Sequence, residues 1–508
     1  MNKTFVIRKR KSLGLFWLVW ALLVLGACSE NGNRRRIQQM KDIYGAVIGV
    51  QLGTTSDVLA SDLEKKGDGT RVERYNKGAD AIQALQQGKI DCVMTDEAPA
   101  RAFLRVNPSL RILPEAFDKS SLAICVAKEN ESLLKSMNGA IHELQEDGTI
   151  DSIVHRHMVR HQAVAYHSPK GDLEHGDAPT LQFATNATFE PFEYYQAGKI
   201  VGIDIDVAHA IGDKLGRKVE VTDMEFDAII TSVQTGKADA GIAGITVTED
   251  RKKNIDFTDS YTEVKQVVVV RAGDRIVGKQ ESLLDKAKDC FVTDARYQYL
   301  LKGLGNTLTI TFFAILLSLM LGTLIAIIRA THERNHNHRI LNALCQIYLT
   351  VIRGTPTMVQ LLIIYYVVFA SANVDKIFVA IIAFGLNSAA YIAEVIRSGI
   401  LSVDKGQMEA GRSLGLSYSQ TMRLVVLPQA FKNVLPAIGN ELITLLKETS
   451  ISGYIGLVDL TKGSDIIRSI TYDALMPLGV VAGIYLLIVL ALAAGVNQLE
   501  KHLRKSER

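Results

Sequence analysis

The chain has 508 residues, with 57 Lys and Arg against 54 Asp and Glu and a formal net charge of +3. Length alone points to roughly three or four domains, and the near balance of charge, with no long basic block, excludes a nucleic-acid reader. The five cysteines fit neither a disulfide framework nor a zinc site by their spacing, and His332, His336 and His338 fall in a basic, solvated loop, so no metal is expected.

In chain order, Lys3, Arg8, Arg10 and Lys11 precede the apolar run LGLFWLVWALLVLGA, an export signal over residues 1–28 that puts the next segment outside the cytoplasm. Its end, LGAC, resembles a bacterial lipobox, which implies lipidation of Cys28; an uncleaved anchor gives the same sidedness. Residues 48–57, IGVQLGTTSD, are a strand-like run that breaks at Gly53 into small hydroxyl residues. Such a loop lets backbone N–H groups and hydroxyls converge on an anion, although an ordinary strand-to-helix turn has the same look. The stretch 161–180, with Pro169, Gly171, Gly176 and Pro179, reads as a linker, and 272–300 as a second one. From 181 to 271 apolar strand-like runs alternate with helical stretches, the pattern of an α/β lobe.

Beyond residue 301 the composition changes. Thr307 to Ile328 carries no formal charge and is long enough to cross a hydrocarbon core of about 30 Å. Further candidate spans lie over 345–370, 376–396 and 475–496, and a weaker one over 434–447 is interrupted by Glu441 and Lys447. Arg329, Arg334 and Arg339, then Arg397, Lys405, Arg412, Arg423 and Lys432, then Lys501, Arg504, Lys505 and Arg508 make three basic segments. All three face the cytoplasm only with five crossings, so 434–447 is expected to span. Charges there cost about 2.5 to 3.5 kcal/mol each and should face protein or a pathway. Glu394 has the simpler reading of an ion pair with Arg397.

The loop EAGRSLGLSYSQTMRLVVLP, 409–428, resembles the EAA loop of ABC importer permeases, with Gly411 where alanine is usual and Val425 where isoleucine is usual. NTLTIT at 306–311, RGTPTMVQL at 353–361, AYIAEVIRSGI at 390–400 and KETSI at 447–451 extend the likeness to the polar amino-acid subfamily. The resemblance implies that a separate ATPase docks at Glu409, Ala410, Gly411, Gly415 and Pro428, that two copies form the channel in the bilayer, and that the chain is a transporter subunit, not an enzyme. No G-x-x-x-x-G-K-[ST] loop occurs, so ATP is expected on the partner and no cofactor on this chain.

FATNATFEPFEYYQAGKIVGIDIDVAHAIGDKLG and DAGIAGITVTEDRKKNIDFTDSYTEVKQVVVV, within 181–271, resemble the first lobe of a periplasmic amino-acid-binding protein. Residues 40–125, through AIQALQQGKIDCVMTDEAPA, resemble its second lobe, and 126–160 the helices that normally close the family's C-terminus. The implied fold is a type II periplasmic-binding-protein α/β domain in two lobes, circularly permuted, followed by an all-α, five-span ABC importer transmembrane domain over 301–508. One interlobe connection, near 122–130, is expected to survive the permutation. Two decayed halves of a tandem array are the competing account.

Carried over residue by residue, the likeness gives Arg251 a bidentate pair with a substrate α-carboxylate, supported by Thr246, Thr54 and Thr55. Asp96 and the Gly244 carbonyl take the α-ammonium, and Phe189 and Phe226 sandwich the side chain. Gln51, Asn186 and Thr95 are expected at the distal end, where neutral polar groups favour glutamine or a similar amide; Glu190 or Glu225, if turned inward, favours arginine or lysine. Singly, Arg251 reads as a solvated helix-start residue, Asp96 as a strand-end cap and Phe226 as core. The partners expected are an ATPase, a second permease copy, an amino acid and the inner membrane of a bacterium, with the binding domain on its outer side. A ligand-gated channel or sensor using the same clamp would need a TVGYG-like filter, which the sequence lacks, and a dehydratase on a binding-protein fold is not excluded by fold alone; the EAA-like loop argues against both.

Overall fold

The computed structural model describes residues 36–159, 179–272, 282–335, 338–370, 374–471, 473 and 475–505. The export signal, Cys28 and nearly all of the 161–180 linker lie outside the described residues.

Lobe 2 comes first. Strands β1 (Val47–Gln51), β2 (Arg71–Tyr75), β3 (Cys92–Asp96), β4 (Leu110–Ile112) and β5 (Asp118–Leu122) alternate with helices α1 (Thr55–Glu64), α2 (Gly78–Gln87) and α3 (Glu97–Val106). The first three strands pair in parallel, in the order β2-β1-β3. All five residues of β3 are buried, as expected of a parallel strand covered by helices on both faces. Lobe 1 follows, with β6 (Cys125–Val126), helices α4 (Glu131–Glu146) and α5 (Thr149–Val159), β7 (Leu181–Thr185), β8 (Thr188–Phe189), β9 (Glu193–Gln196), β10 (Lys199–Val201), α6 (Ile203–Leu215), β11 (Val219–Asp223), β12 (Ala240–Gly241) and β13 (Asp256–Phe257). Its sheet runs β11-β7-β12-β6-β13. Met137 and Ile141 of α4 share one buried core with Phe183 of β7 and Val207 of α6.

Two boundaries expected from the sequence are corrected by β14 (Thr262–Arg271). The sequence places it in lobe 1, within 181–271, but it pairs antiparallel with β3 and β4 of lobe 2. The chain therefore crosses between lobes twice, from β5 to β6 and from β13 to β14, instead of once. The two crossing segments also pair with each other, Leu122 opposite Thr262 and Asp118 opposite Gln266, which makes a two-stranded hinge. In a permuted domain the cut would thus fall after the hinge strand β14. The 272–300 stretch is not plain linker either, since Leu283–Ala287 is helical.

The second half is helical: α7 (Tyr297–Asn335), α8 (Arg339–Gly354), α9 (Thr357–Ile363), α10 (Lys376–Leu401), α11 (Lys405–Ser413), α12 (Leu427–Glu448), α13 (Leu460–Thr471) and α14 (Leu475–Lys505), counting only α-helices of seven residues or more. Glycines let α7 and α10 approach closely: a Cβ on Gly385 would sit 2.6 Å from Leu317 Cδ2, and one on Gly322 2.8 Å from Ile392 Cγ2. Among the described residues 3 helices are long and apolar enough to cross a membrane, Tyr297–Glu333, Lys376–Leu401 and Leu475–His502, or 4 if a bent pair counts as one. That pair, Arg339–Gly354 with Thr357–Val368, is bent by 111°, so the run 345–370 is not the single straight span expected. Pro356 caps the second helix at the break, where its ring and missing N–H end the first. The expected fifth crossing falls on α12, a helix of 22 residues that is not among those long and apolar enough; Glu441 in it accepts from Ser388 Oγ at 2.9 Å. Glu394 is held by Arg397 and by Arg329 at 3.0 Å, so it is an ion-paired residue.

Candidate functional site

The two lobes meet over a narrow cavity of about 30 Å³. Lobe 2 lines it with Gln51 at the end of β1, with Thr54 and Thr55 of the glycine loop, and with Thr95 and Asp96 at the end of β3. Lobe 1 contributes Asn186, Phe189, Phe226, Gly244 and Thr246. All of these are residues singled out from the sequence. The loop is positioned locally: Gly53 has φ +75, accessible to glycine at little cost. Its N–H donates to Asp57 Oδ2 at 3.0 Å, and Thr54 caps α1 through the Asp57 N–H.

Asp96 occupies the N-cap position of α3 but makes no side-chain cap bond. Its Oδ1 instead accepts from Gln266 Nε2 on the hinge strand, and Gln266 Oε1 accepts from Ser56 Oγ at 2.6 Å. Burial pushes the Asp96 carboxyl up to about 7; the Gln266 bond opposes that rise and the nearby Asp204 adds to it. Asp204, at the start of α6, is pushed by burial up to about 6, against bonds donated by the Gly244 N–H at 2.7 Å and Tyr261 O–H at 2.8 Å.

Arg251 lies just outside the cavity wall. Its Nη1 donates to the Thr246 carbonyl and its Nη2 to the Gly53 carbonyl, each at 2.6 Å, so the guanidinium ties the TVTEDR turn of lobe 1 to the glycine loop of lobe 2. Its Cζ stands 5.7 Å from the centre of the Phe226 ring, within cation–π range. The Gly244 backbone is left-handed at φ +55, and a Cβ there would sit 3.3 Å from Phe189 Cε1. Neither acid considered for a cationic side chain lines the cavity: Glu190 pairs with Arg105, and Glu225 with Lys462 at 3.2 Å.

Sequence reasoning missed Glu193 and Gln266. Glu193 is 1% exposed and lines the cavity. Its Oε2 has no hydrogen-bond partner, and burial, then Asp204, pushes its carboxyl well above the usual range. The signal available was an acid in an otherwise apolar PFEYY hairpin. Gln266 was hidden in the apolar VKQVVVV run, where one amide looks like an edge residue.

On the helical half, α11 is C-capped by Leu414, which is 83% exposed, and Gly415 turns the chain at φ +87. A short helix, Tyr418–Thr421, continues to Pro428 at the start of α12. Glu409 and Ala410 are exposed, whereas Gly411 is buried against Thr421, whose Cγ2 would lie 2.4 Å from an added Cβ. That contact accounts for glycine where alanine is usual. Among the described residues no group of three or more His, Cys, Asp or Glu is placed to hold a metal ion.

The family model for bacterial extracellular solute-binding proteins, family 3, matches residues 181–411, starting at β7 and running on into the helical half. Over 221 residues, 43% of this chain and 99% of the relative, the sequence is 37% identical to the arginine transport system permease protein ArtQ of Bacillus subtilis (strain 168). Over 205 residues, 40% of this chain and 92% of the relative, it is 35% identical to the putative glutamine transport system permease protein GlnP of Rickettsia prowazekii (strain Madrid E). A crystal structure of an amino acid ABC transporter with histidines is 39% identical, covering 42% of this chain and 98% of that one with a TM-score of 0.39.

Proposed function

Since the chain belongs to the amino-acid ABC transporter permeases and carries a solute-binding domain of family 3, we propose that it captures a polar, glutamine-like amino acid outside the inner membrane and passes it inward through its own permease half. The observation that carries this reading is the division of polar groups across one cleft. Lobe 2 offers Asp96 for an ammonium, lobe 1 offers Thr246 and the neighbouring Arg251 for a carboxylate, and neither holds a complete set. A zwitterion that satisfies both favours the closed arrangement over the open one. A cavity of about 30 Å³ holds no more than a water or two, so entry requires the lobes to part. The neutral Gln51 and Asn186 favour an amide side chain over a charged one.

Two further parts of the reading concern partners. A separate ATPase docks on the exposed 409–428 loop, where Leu414 and Glu409 stand free of the body of the protein, and ATP is bound there and not by this chain. A second copy completes the pathway, because a five-span half of this kind needs a mate; the apolar surface that α14 leaves uncovered in one chain suits contact with lipid. The test is a panel of the twenty amino acids titrated against the purified full chain, read by calorimetry. Saturable binding of glutamine or a close analogue, tighter than that of charged amino acids, is the expected result. Binding of arginine in preference would move the reading to a cationic substrate and put Glu193 in the recognition set, and no binding at all would reject the clamp.

A further inference from the structure

Glu193 opens strand β9 directly opposite Phe189 of β8, and both side chains line the cavity, as residues paired across two strands share one face. The glutamate is 1% exposed, and its Oε2 has no hydrogen-bond partner. A buried oxygen left so is costly, and a donor brought by a ligand would relieve that cost.

The same carboxyl meets Asp204 at the start of α6, its side-chain hydrogen-bond partner. Two carboxyls can bond to each other only when one of them carries a proton. Asp204 is the ionised member, because the Gly244 N–H at 2.7 Å and the Tyr261 O–H at 2.8 Å already donate to it, and donors favour the charged form. Glu193 therefore holds the proton. The surroundings agree: besides Asp204 on α6 and the Tyr261 hydroxyl ahead of β14, Glu193 faces the field of Asp96 from the end of β3 and of Asp223 from the end of β11. Cations on the packed elements answer to other groups. Lys462 binds Asp223 at 3.2 Å, Arg156 and His157 each bind Asp206 at 2.7 Å, and Arg251 donates to two carbonyls. Among the described residues, Asp96, Glu193 and Asp204 thus have hydrogen bonds but no ion pair.

We propose that Glu193 sets side-chain selectivity by exchanging its proton for the positive charge of a ligand, so that an amide ligand is held by the protonated Glu193–Asp204 pair and a cationic ligand by the same pair after the proton has left. With an amide, the ligand N–H donates to Oε2 of the neutral carboxyl. With a guanidinium, the Glu193 O–H bond breaks, the proton passes to solvent, and the carboxylate accepts from the planar fork. One positive charge enters and one departs, so the closed cleft carries the same net charge in both cases. Rising pH then favours the cationic ligand over the amide. This inference rests on the reading of the cleft as an amino-acid trap, and adds to it a second ligand class and the condition that admits it.

The experiment titrates the full chain in nanodiscs with glutamine and with arginine at pH 8, by calorimetry, in phosphate and in Tris. These buffers differ in ionisation enthalpy, so the difference in heat counts the protons released per ligand bound. Asp96, with its carboxyl at about 7, is about nine-tenths ionised there and releases about 0.1 proton with either ligand. Arginine is expected to release about one proton more than glutamine, and the ratio of the arginine Kd to the glutamine Kd to fall about tenfold between pH 7 and pH 8. Glu193→Gln keeps the shape and cannot ionise, so its two proton counts should be equal and its ratio flat in pH. No more release with arginine than Asp96 accounts for, a ratio indifferent to pH in the unmodified chain, glutamine binding without arginine binding at either pH, or an excess that survives in Glu193→Gln would each overturn the role of Glu193 while leaving the trap intact. Failure of the unmodified chain to bind any amino acid would instead remove the trap, and this inference with it.

Discussion

Gln51 of lobe 2 donates from Nε2 to Asn186 Oδ1 of lobe 1 at 3.2 Å, and both amides are buried. Asn186 also accepts from Thr188 Oγ1 at 2.8 Å and donates to the Met224 carbonyl, so its orientation is set from several sides. An uncharged pair at this point gives a bound cation nothing to neutralise it and leaves an amide at no such disadvantage. Asn186→Asp is therefore expected to move preference from glutamine toward arginine by about tenfold or more, measured as the ratio of their Kd values by calorimetry. An unchanged ratio would place the side-chain end of the ligand elsewhere.

Asp96, Asp204 and Glu193 are all raised, first of all by burial, and a raised carboxyl holds its proton more tightly folded than unfolded. Its contribution to stability is fully present below the unfolded value of about 4 and is lost as pH rises through the folded value, about 7 for Asp96. The unliganded chain should thus melt at a higher temperature at pH 5 than at pH 7.5, within the share that these groups control. Affinity for an ammonium runs the other way, because the cation needs the carboxylate. About a tenth of Asp96 is ionised at pH 6, so the Kd should be about tenfold weaker there than at pH 8. Asp96→Asn should bind weakly and lose that pH slope; a slope that persists would give the ammonium to another acid.

The alternating strands and helices of lobe 1 and the glycine turn at Gly53 were legible in the sequence because each is local, an apolar run or a turn residue; lobe 2 and the ring pair Phe189 and Phe226 came only from the resemblance, since Phe226 alone reads as core. The second interlobe crossing was not legible. β13 is two residues long, and TEVKQVVVVR reads as one strand without saying which sheet it joins. Only its pairing with β3 decides that. The break between α8 and α9 falls in the polar stretch RGTPT, 353–357, whose Gly354 and Pro356 are compatible with a kink within one span as well as with a sharp bend. Pairs such as Lys462 with Asp223 join residues hundreds of positions apart, and no periodicity reports them.

Arg251 spans the lobes through two backbone carbonyls, at Thr246 and Gly53. Its planar fork supplies both bonds at once, and an ammonium in its place supplies a point charge. If the same fork turns to take a ligand carboxylate, Arg251→Lys should weaken binding roughly tenfold and Arg251→Ala about a hundredfold or more, as expected for charge-assisted bonds. Titration of both variants with the preferred amino acid checks this. Alanine at 251 with undiminished affinity would leave Arg251 only as an interlobe strut.

Gly411 is closed to a side chain by Thr421, since an added Cβ would meet Cγ2 at 2.4 Å and Oγ1 at 3.0 Å. Overpacking of that kind costs about 1 to 3 kcal/mol. Gly411→Ala should therefore loosen the 409–428 loop and reduce uptake in proteoliposomes with the partner ATPase present, while amino-acid binding stays unchanged. Thr421→Ala supplies the missing room, so the double variant should regain uptake. If it does not, the defect of the single variant lies in the docking surface and not in the packing beneath it.

Glu409 stands on the exposed face of α11, so replacing it disturbs no buried contact and should cost less than about 0.5 kcal/mol of stability. Its value would lie in what it meets on a partner. Reversing a charge at an interface sets like charges against each other, at a cost of several kcal/mol. Glu409→Lys should then fold and bind its amino acid as before, yet transport poorly and release the ATPase more readily at low salt, where the repulsion is least screened. Pull-down of the ATPase by the two forms, alongside uptake, separates the steps. Normal uptake with Glu409→Lys would shift the contact to the apolar edge at Leu414, where Leu414→Asp should then abolish capture of the ATPase while leaving the cleft intact.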